Sequence, residues 1–241
     1  MKALVLGATG ATGRLVISQL LKKNLECRIV VRSIESVSLD ISKSSLVEIV
    51  VGSLLEFDPP MYISIINDCD VVISCLGHNL TLKGIFGRPH FLVTDVIKNI
   101  CRAIKEGNPK SRKIILMNTT GNRNRQEDEK YSVLDRIILS IMRIVLPPQR
   151  DNEKAASYLQ EHIGISDPQI EWVAVRPDTL INKENESAYE IYASPQRSPV
   201  FNSGKTSRIN VSKFMAELAE DRALWERWKG QMPVIYNKIN E

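Results

Sequence analysis

Short runs of β-branched and aliphatic residues recur along the chain, and the segments between them place apolar residues at every third or fourth position. Continuous apolar runs are typical of parallel strands buried on both faces, and the wider spacing is typical of helices with one apolar face. Strand and helix therefore alternate from the first residues onward. This alternation predicts an α/β fold, a doubly wound parallel sheet with helices on both faces and a ligand crevice at the carboxyl ends of the strands.

The first three quarters of the chain contain six predicted strands and the helices that connect them. The strands are predicted at Ala3 to Leu6, Arg28 to Val31, Val47 to Val51, Val71 to Cys75, Lys113 to Met117 and Trp172 to Val175. The connecting helices are predicted at Thr12 to Lys23, Met61 to Asn67 and Phe91 to Glu106.

The chain departs from a minimal sheet after the fifth predicted strand. A polar loop, Asn122 to Lys130, precedes two helical patterns, Ser132 to Leu146 and Asp151 to Glu161, which Pro147-Pro148 separates. Proline lacks an amide hydrogen and ends most helices, so we expect two helices here and not one.

The chain also extends beyond the sixth predicted strand. The segment Asn182 to Gly204 is polar and rich in proline, and a last helix, Val211 to Glu220, and a short strand, Pro233 to Tyr236, follow it. We expect a single domain over residues 1–241, in which an elaboration from about 178 to 241 covers the substrate cleft.

Composition and charge exclude several classes of protein. Of 241 residues, 43% are hydrophobic and 25% charged, which is ordinary for a soluble globular chain. The 32 Lys and Arg against 28 Asp and Glu leave a net charge of +4, spread along the chain, so no nucleic-acid partner is indicated. The longest apolar stretch, Val133 to Leu146, is short and contains three charged residues, so we expect no membrane span and a cytoplasmic protein.

The four cysteines show no pattern of metal ligation. Cys27, Cys69, Cys75 and Cys101 form no CxxC pair, and the three histidines are scattered. We therefore expect reduced thiols and no metal site.

A glycine-rich loop directly follows the first predicted strand and opens the first helix. It reads Gly7-Ala8-Thr9-Gly10-Ala11-Thr12-Gly13. Glycines at this point allow a tight turn and close approach of a pyrophosphate, and the free N–H groups of the helix start neutralise its charge. A strand-to-helix turn without a ligand also needs glycine, but the position favours a Rossmann-type dinucleotide site. The predicted contacts are Gly7, Thr9, Gly10, Ala11, Thr12 and Gly13.

The second strand ends in Val30-Val31-Arg32-Ser33, about twenty residues beyond the glycines. An NAD-specific site has a carboxylate there for the ribose 2′-hydroxyl, whereas a guanidinium beside a hydroxyl suits a 2′-phosphate. Arg32 and Ser33 therefore predict a preference for NADP(H) over NAD(H). Arg14 is the alternative cation for this role, and Arg32 as a solvated loop residue is the simpler interpretation.

The chain resembles the atypical short-chain dehydrogenase/reductases with NAD(P)H-binding domains. The resemblance rests on the glycine loop, on Val31-Arg32, on Asp70-Val71-Val72-Ile73-Ser74-Cys75-Leu76-Gly77 and on Trp172-Val173-Ala174-Val175-Arg176-Pro177. The branch it resembles most contains the flavin/biliverdin-type reductases and the regulatory proteins similar to NmrA. These motifs span nearly the whole chain, but none of them selects a substrate.

The resemblance implies further cofactor contacts. It places Ser74, Cys75, Leu76 and Gly77 beside the ribose and phosphates. The family commonly has a Gly-Asp pair after its third strand, near the adenine, where this chain has Gly52-Ser53. The resemblance places Ser53 and Leu54 in that region.

The chain lacks the Tyr-x-x-x-Lys pair with which many members of the superfamily protonate a carbonyl, because no tyrosine has a lysine four positions later. The resemblance to flavin/biliverdin-type reductases instead places Thr119 and Thr120 at the end of the fifth strand, facing the nicotinamide. Thr120 is the first catalytic candidate and Thr119 the second. Capping of the strand by local hydrogen bonds is the alternative for both.

Several other polar residues have no settled role. Arg123, Arg125, Arg150 and Lys154 either bind an anionic acceptor or belong to a solvated loop and helix. His78 is a candidate donor to substrate, and Arg176 either lines a pocket or pairs with a carboxylate. The apolar face of Ser132 to Leu146 is expected to be core or subunit contact.

The sequence thus predicts an NADP(H)-dependent oxidoreductase that transfers hydride to a planar conjugated small molecule such as a flavin, quinone or tetrapyrrole. Such an acceptor needs little acid–base machinery when it is stacked at the right distance. Two alternatives remain: a non-catalytic NADP(H)-sensing regulator similar to NmrA, and a sugar-nucleotide epimerase or dehydratase. The sequence leaves the oligomeric state open.

Overall fold

The computed structural model describes residues 1–78, 90–124, 126, 127, 129 and 131–238. The strands are β1 (Lys2–Leu6), β2 (Glu26–Val31), β3 (Val47–Val51), β4 (Val71–Ser74), β5 (Arg112–Met117), β6 (Ile170–Pro177), β7 (Thr179–Ile181), β8 (Tyr189–Tyr192), β9 (Lys205–Ser207) and β10 (Val234–Asn237). The helices are α1 (Gly13–Lys22), α2 (Leu39–Ser42), α3 (Pro59–Ile66), α4 (Leu92–Glu106), α5 (Val133–Val145), α6 (Pro147–Tyr158), α7 (Arg208–Glu220) and α8 (Arg222–Trp228).

Eight of these strands form one sheet in the order β3-β2-β1-β4-β5-β6-β10-β8. All neighbours are parallel except β10 and β8. The chain moves outward from β1 to β3 and then returns to β4 on the other side of β1. In open α/β sheets a ligand binds in the crevice at such a reversal, so the carboxyl ends of β1 and β4 mark the site. The Rossmann-type fold predicted from the sequence is confirmed.

The central strands are buried on both faces, which explains their continuous apolar runs. Ala3 and Val5 of β1 pack with α1 and α7 on one face of the sheet. Leu4 and Leu6 pack with α3, α4 and α6 on the other face. Because successive side chains of a strand point to opposite faces, one five-residue strand contributes to both layers.

Three features of the second half differ from the prediction. Tyr189–Tyr192, inside the segment expected only to cover the site, pairs with β10 as the antiparallel edge strand β8. Helix α6 begins at Pro147 and not at Asp151, since proline is tolerated in the first turn, where its missing amide has no partner to lose. The prediction omitted helix α8, whose N-cap Asp221 accepts a hydrogen bond from the amide of Leu224.

The apolar face of α5 is not core within this chain. Leu139 is buried, whereas Val133 is 74% exposed and Ile137, Ile141 and Val145 are each more than half exposed. The expectation of core packing was therefore wrong for this face, and subunit contact stays a prediction. Among the described residues, no helix is both long and apolar enough to cross a membrane.

Charged side chains form ion pairs at the amino-terminal ends of the strands, opposite the crevice. Lys2 Nζ lies 2.6 Å from Glu48 Oε2 and 2.7 Å from Asp68 Oδ2. Arg28 lies 2.8 Å from the same Glu48 oxygen and 2.5 Å from Asp68 Oδ1. This group, the basal charge cluster (Lys2, Arg28, Glu48 and Asp68), joins three strands to the loop before β4.

Candidate functional site

Two glycines of the loop after β1 are required by packing. Gly7 has a φ of +75°, and a Cβ atom there would lie 2.6 Å from the carbonyl oxygen of Cys75 at the end of β4. A Cβ on Gly13 would lie 2.1 Å from the carbonyl oxygen of Gly7. These two residues therefore bring the loop against β4 and the first turn of α1 against the loop.

Gly10 differs from its two neighbours in the motif. It is exposed, and a Cβ there would meet only the Gly7 carbonyl oxygen, at 3.2 Å. Gly10 N–H donates to that same oxygen, which closes the turn. A side chain at Gly10 would therefore have to displace this contact by a few tenths of an ångström, while the exposed main chain fits the close approach of a pyrophosphate.

The start of α1 offers free positive charge to such a group. Thr12, the N-cap residue, is buried and makes no side-chain capping hydrogen bond, and the first turn contains no acidic residue. The first amides of a helix form the positive end of its dipole, and here one of them, that of Arg14, donates to the carbonyl oxygen of Gly10 at 3.1 Å. Thr9 and Ala11 are exposed beside them, so the predicted loop residues fit a dinucleotide phosphate.

Arg14 and Arg32 are exposed cations next to this loop. Within the part of the chain that the structure describes, neither guanidinium forms an ion pair. Arg14 and Thr9 line a shallow hollow together with Ser38 of the segment after β2. The Ser33 hydroxyl, however, donates to the carboxylate of Glu35, and this hydrogen bond lowers the pKa of Glu35. Sequence reasoning missed Glu35, a carboxylate of the kind that an NAD(H) site uses.

Exposure increases along the segment that follows β4. Ser74 is fully buried and its hydroxyl has no hydrogen-bond partner, and Cys75 is also buried. Leu76 is half-buried and Gly77 is exposed, and no atom of the described residues lies within 4 Å of a Cβ built on Gly77. Gly77 and Leu76 are therefore the members of this predicted set that lie at the surface of the crevice.

The residues predicted after β3 lie partly inside the protein. Ser53 and Leu54 are half-buried, and the carbonyl oxygen of Leu54 accepts a 2.5 Å hydrogen bond from the Tyr62 hydroxyl. Leu54 packs against the core layer under α3 and α4. The carbonyl oxygen of Leu54 is thus already used in a hydrogen bond within the protein.

The two threonines at the end of β5 have different surroundings. Thr119 is half-buried, and its hydroxyl oxygen accepts from the amide of Gly121. Thr120 is 2% exposed, its side chain hydrogen-bonds Asp178, and its carbonyl oxygen accepts from the Tyr131 hydroxyl at 3.0 Å. Thr119 lies nearer the crevice, and Thr120 lies behind it, joined to β6.

Asp178, the residue directly after β6, is a buried carboxyl that sequence reasoning did not single out. It accepts hydrogen bonds from the amides of Thr179 at 2.9 Å and Gly204 at 2.8 Å. Burial raises its pKa, although these bonds and the one to Thr120 favour the charged form. Asp178 therefore connects the end of β5 to the β7–β9 pair.

Arg176 pairs with a carboxylate, as one of its two predicted roles stated. Arg176 is fully buried and lies 2.6 Å from Glu129, which is also buried. Its remaining donors contact the carbonyl oxygens of Met232, Asn122 and Ala193. A side chain so enclosed does not line the cleft.

A cavity of about 270 Å³ opens between the start of α5 and the loop that follows β8. Tyr131 lines this cavity and also contacts Thr120, so the cavity lies at the carboxyl end of the sheet. Burial raises the pKa of Tyr131 well above its ordinary range, and Glu129 raises it further. The lining residues are Glu129, Tyr131, Ser132, Asp135, Pro195, Gln196, Arg197, Ser198 and Pro199.

His78 follows the exposed Gly77 and contacts helix α6. Its Nε2 lies 2.8 Å from Oδ2 of Asp151, a fully buried carboxylate. Sequence reasoning considered His78 but missed Asp151, which lies 73 residues further along the chain.

The basic residues considered for an acceptor separate into two groups. Arg150 and Lys154 both lie over the ring of Phe91, with Arg150 Cζ 5.7 Å and Lys154 Nζ 4.2 Å from its centre. Arg123 is half-buried, and Arg125 lies outside the described residues. The structure thus brings Arg150 and Lys154 together as cation–π partners of one aromatic ring.

The cysteines are unreactive in this fold. All four are buried and free of disulfides. Burial raises the pKa of Cys27, Cys75 and Cys101 to about 12 and that of Cys69 to about 11. In the described part of the chain, no three His, Cys, Asp or Glu residues are grouped to hold a metal ion.

Comparison with known proteins identifies the family of this chain. A family model described as NAD(P)H-binding matches residues 7–222. No curated protein matches the sequence significantly.

Solved structures share the fold at low sequence identity. A proposed NAD-dependent epimerase/dehydratase from Bacillus halodurans is 20% identical, with a TM-score of 0.71 over 99% of this chain and 94% of that one. A short-chain dehydrogenase/reductase from Veillonella parvula in complex with NADP is 14% identical, with a TM-score of 0.69 over 98% and 94%. A proposed NADH-flavin reductase from Streptococcus pneumoniae is 14% identical, with a TM-score of 0.67 over 99% and 100%.

Proposed function

Because the chain belongs to the NAD(P)H-binding family, we propose that it is an NADP(H)-dependent oxidoreductase that reduces a planar conjugated acceptor. The exposed turn at Gly10, before the uncapped start of α1, is the observation that supports this proposal most directly. There the main chain is open to a phosphate and its positive charge is not taken up by a side chain.

The cofactor would lie across the crevice between β1 and β4. The loop from Gly7 to Gly13 would hold the pyrophosphate, and Arg14 and Arg32 would bind the 2′-phosphate by charge-assisted hydrogen bonds. Leu76 and Gly77 would contact the nicotinamide half. When bound, NADPH supplies a hydride from its nicotinamide ring.

The cavity beside Tyr131 would receive the acceptor. It opens at the carboxyl ends of β5 and β6, where the loops position a ligand against the nicotinamide half of the crevice. A flavin, a quinone or a tetrapyrrole-like molecule accepts hydride into an extended π system, so the protein has to orient the two rings against each other. The fold shared with a proposed NADH-flavin reductase is in keeping with this class.

The tyrosines favour this chemistry over carbonyl reduction. Tyr131, the tyrosine that lines the cavity, donates its hydroxyl to the Thr120 carbonyl and has a raised pKa. It has Asp135 four positions later and not lysine. The proposed epimerase/dehydratase from Bacillus halodurans has the same fold, but at 20% identity this likeness concerns the fold alone.

The second candidate is a sensor that binds NADP(H) and reports the redox ratio to a partner. The exposed apolar face of α5 (Val133, Ile137, Ile141 and Val145) is the observation that favours it, since such a face suits contact with another protein.

A single set of measurements separates the candidates. NADPH and NADH are titrated into the purified protein, and their consumption is then followed with riboflavin, FMN, quinones and linear tetrapyrroles. We expect NADPH to bind more tightly and the nicotinamide deuterium to appear in the reduced acceptor. Tight NADPH binding without turnover of any acceptor would reject the enzyme in favour of the sensor, and failure to bind either nucleotide would reject both.

A further inference from the structure

The carboxylate of Asp151 is fully buried and has four hydrogen-bond donors. Its Oδ1 accepts from the amide of Thr94 at 2.9 Å and from the Thr94 hydroxyl at 2.6 Å. Its Oδ2 accepts from the amide of Val93 at 2.8 Å and contacts Nε2 of His78 at 2.8 Å. Because an ionised carboxylate only accepts, Nε2 of His78 must be the donor in this contact.

This contact orients the imidazole of His78. With Nε2–H directed at Asp151, the nitrogen left to exchange a proton is Nδ1. The pair therefore has the arrangement of an oriented acid, and the functional assignment above does not use it.

The fold places His78 on the nicotinamide half of the crevice. Strand order reverses between β1 and β4, so the adenine half lies over β1 to β3 and the nicotinamide half over β4 and β5. His78 lies four residues beyond β4.

Helix α6 holds the loops after β4 and β5 together. Asp151 binds His78, and the carbonyl oxygen of the next residue, Asn152, accepts from Asn118 Nδ2 at 2.8 Å. Asn118 in turn accepts from the amide of Thr119. Consecutive residues of one helical turn thus fix His78 and the predicted nicotinamide-facing Thr119 at neighbouring points.

We propose that His78, oriented by Asp151, is the general acid of the proposed reduction. The Nδ1–H bond of protonated His78 breaks, and the proton bonds to the acceptor nitrogen or oxygen that gains an electron pair. The hydride and its two electrons come from NADPH, which leaves as NADP⁺, and the imidazole regains its proton from water. This inference rests on the proposed function.

Among the described residues, the charged groups around His78 leave Asp151 as its direct partner. On the same helix, Glu153 pairs with Arg143, and Arg150 and Lys154 lie over the Phe91 ring. On α4, Asp95 and Lys98 are exposed and Lys105 pairs with Asp167.

The test compares His78→Gln with His162→Gln. Glutamine retains an N–H group that can donate to Asp151 but releases no proton, and His162 is an exposed histidine stacked on Tyr158. We expect His78→Gln to keep its melting temperature and its NADPH affinity and to lose roughly 10²- to 10⁴-fold in kcat, the usual contribution of a general acid. The decline of kcat at high pH should disappear in this variant, and His162→Gln should behave as the unmodified protein.

Two further measurements do not depend on that variant. Imidazole added to His78→Ala should restore part of kcat. In ¹⁵N spectra of the unmodified protein, NADP⁺ should shift the Nδ1 signal of His78 but not that of His162.

The outcomes distinguish failure of the assignment of His78 as the acid from failure of the proposed function. An active protein in which His78→Gln keeps its kcat and pH profile, or in which NADP⁺ leaves the His78 signals unchanged, would overturn the acid alone. A protein that binds NADPH and reduces no acceptor would overturn both the acid and the proposed function.

Discussion

At the end of β2, two side chains of opposite charge lie where the proposed preference for NADP(H) would be decided. Arg32 is exposed and unpaired among the described residues, whereas Glu35 holds the Ser33 hydroxyl. Arg32→Ala should weaken NADPH binding by roughly ten- to a hundredfold and leave NADH binding nearly unchanged, because about 1.5–3 kcal/mol of charge-assisted hydrogen bonding is lost. Parallel titrations of both nucleotides measure this.

Arg14→Ala tests whether Arg14 shares this role. A loss of NADPH affinity in Arg14→Ala but not in Arg32→Ala would transfer the role to Arg14. Equal affinity of the unmodified protein for both nucleotides would reject the preference itself.

Thr120 is buried and bonded to Asp178, so its hydroxyl would act by orientation. Removing one positioned hydroxyl costs about 0.5–1.5 kcal/mol, and Thr120→Ala should therefore lower kcat/KM by only a few- to tenfold. Tyr131→Phe should remain near normal in steady-state assays. A thousandfold loss in Tyr131→Phe would instead indicate a tyrosine acid.

The residues that sequence reasoning found and those it missed differ in how far away their partners lie. The glycine loop is local, and its position after a strand predicts its neighbours. Asp151, Glu129 and Asp178 act on residues 73, 47 and 26 positions away. Their roles depend on the closed fold, so no spacing in the sequence could indicate them.

At the scale of the element, two glycines in the turn into α1 are expected to have different roles, Gly10 in nucleotide binding and Gly13 in folding. Gly10→Val places a branched side chain on an exposed turn with its Cβ 3.2 Å from the Gly7 carbonyl oxygen, which a small shift relieves, whereas Gly13→Val would force a Cβ to 2.1 Å from that oxygen. Gly10→Val should abolish nucleotide binding and keep the unmodified melting temperature. Gly13→Val should unfold or melt at a much lower temperature.

Thermal melts and nucleotide titrations on both variants check this contrast. Normal NADPH binding by Gly10→Val would remove the glycine from the phosphate site, and collapse of Gly10→Val would make its role structural.

The elements of the first half were predictable because both faces of each strand are buried. The edge strand β8 was not, since Tyr189–Tyr192 is only partly buried and lies within a polar segment. The start of α6 at Pro147 was misplaced because a proline in the first turn of a helix and a proline that ends a helix look alike in sequence.

At the scale of the whole molecule, the charged side chains at the two ends of the sheet differ in whether they are paired. At the crevice end, Arg14 and Arg32 form no ion pair with any described residue, whereas Lys2 and Arg28 at the opposite end are paired in the basal charge cluster. Although burial opposes it, hydrogen bonds from Lys2 and Arg28 lower the pKa of Asp68 to about 2. A carboxylate with a lowered pKa contributes stability above its unfolded pKa and loses that contribution as pH falls toward its folded pKa.

Asp68→Asn should therefore be less stable than the unmodified protein at neutral pH, and the difference should shrink as pH falls from about 4 to about 2. Melting temperatures across this range measure it. Asp95→Asn, an exposed carboxylate on α4, should show no such convergence. A difference for Asp68→Asn that is constant with pH would mean that the ion pairs contribute no stability.

The rates at which the four buried thiols react can report which part of the protein opens transiently. Cys27 and Cys75 lie in the layer under α1 and α7, and Cys69 and Cys101 lie in the layer under α3 and α4. An alkylating reagent can reach each sulfur only while its layer is transiently open. The order in which the cysteines are labelled would show which layer separates from the sheet first. Nucleotide binding should slow the labelling of the cysteines in the layer whose opening is coupled to binding.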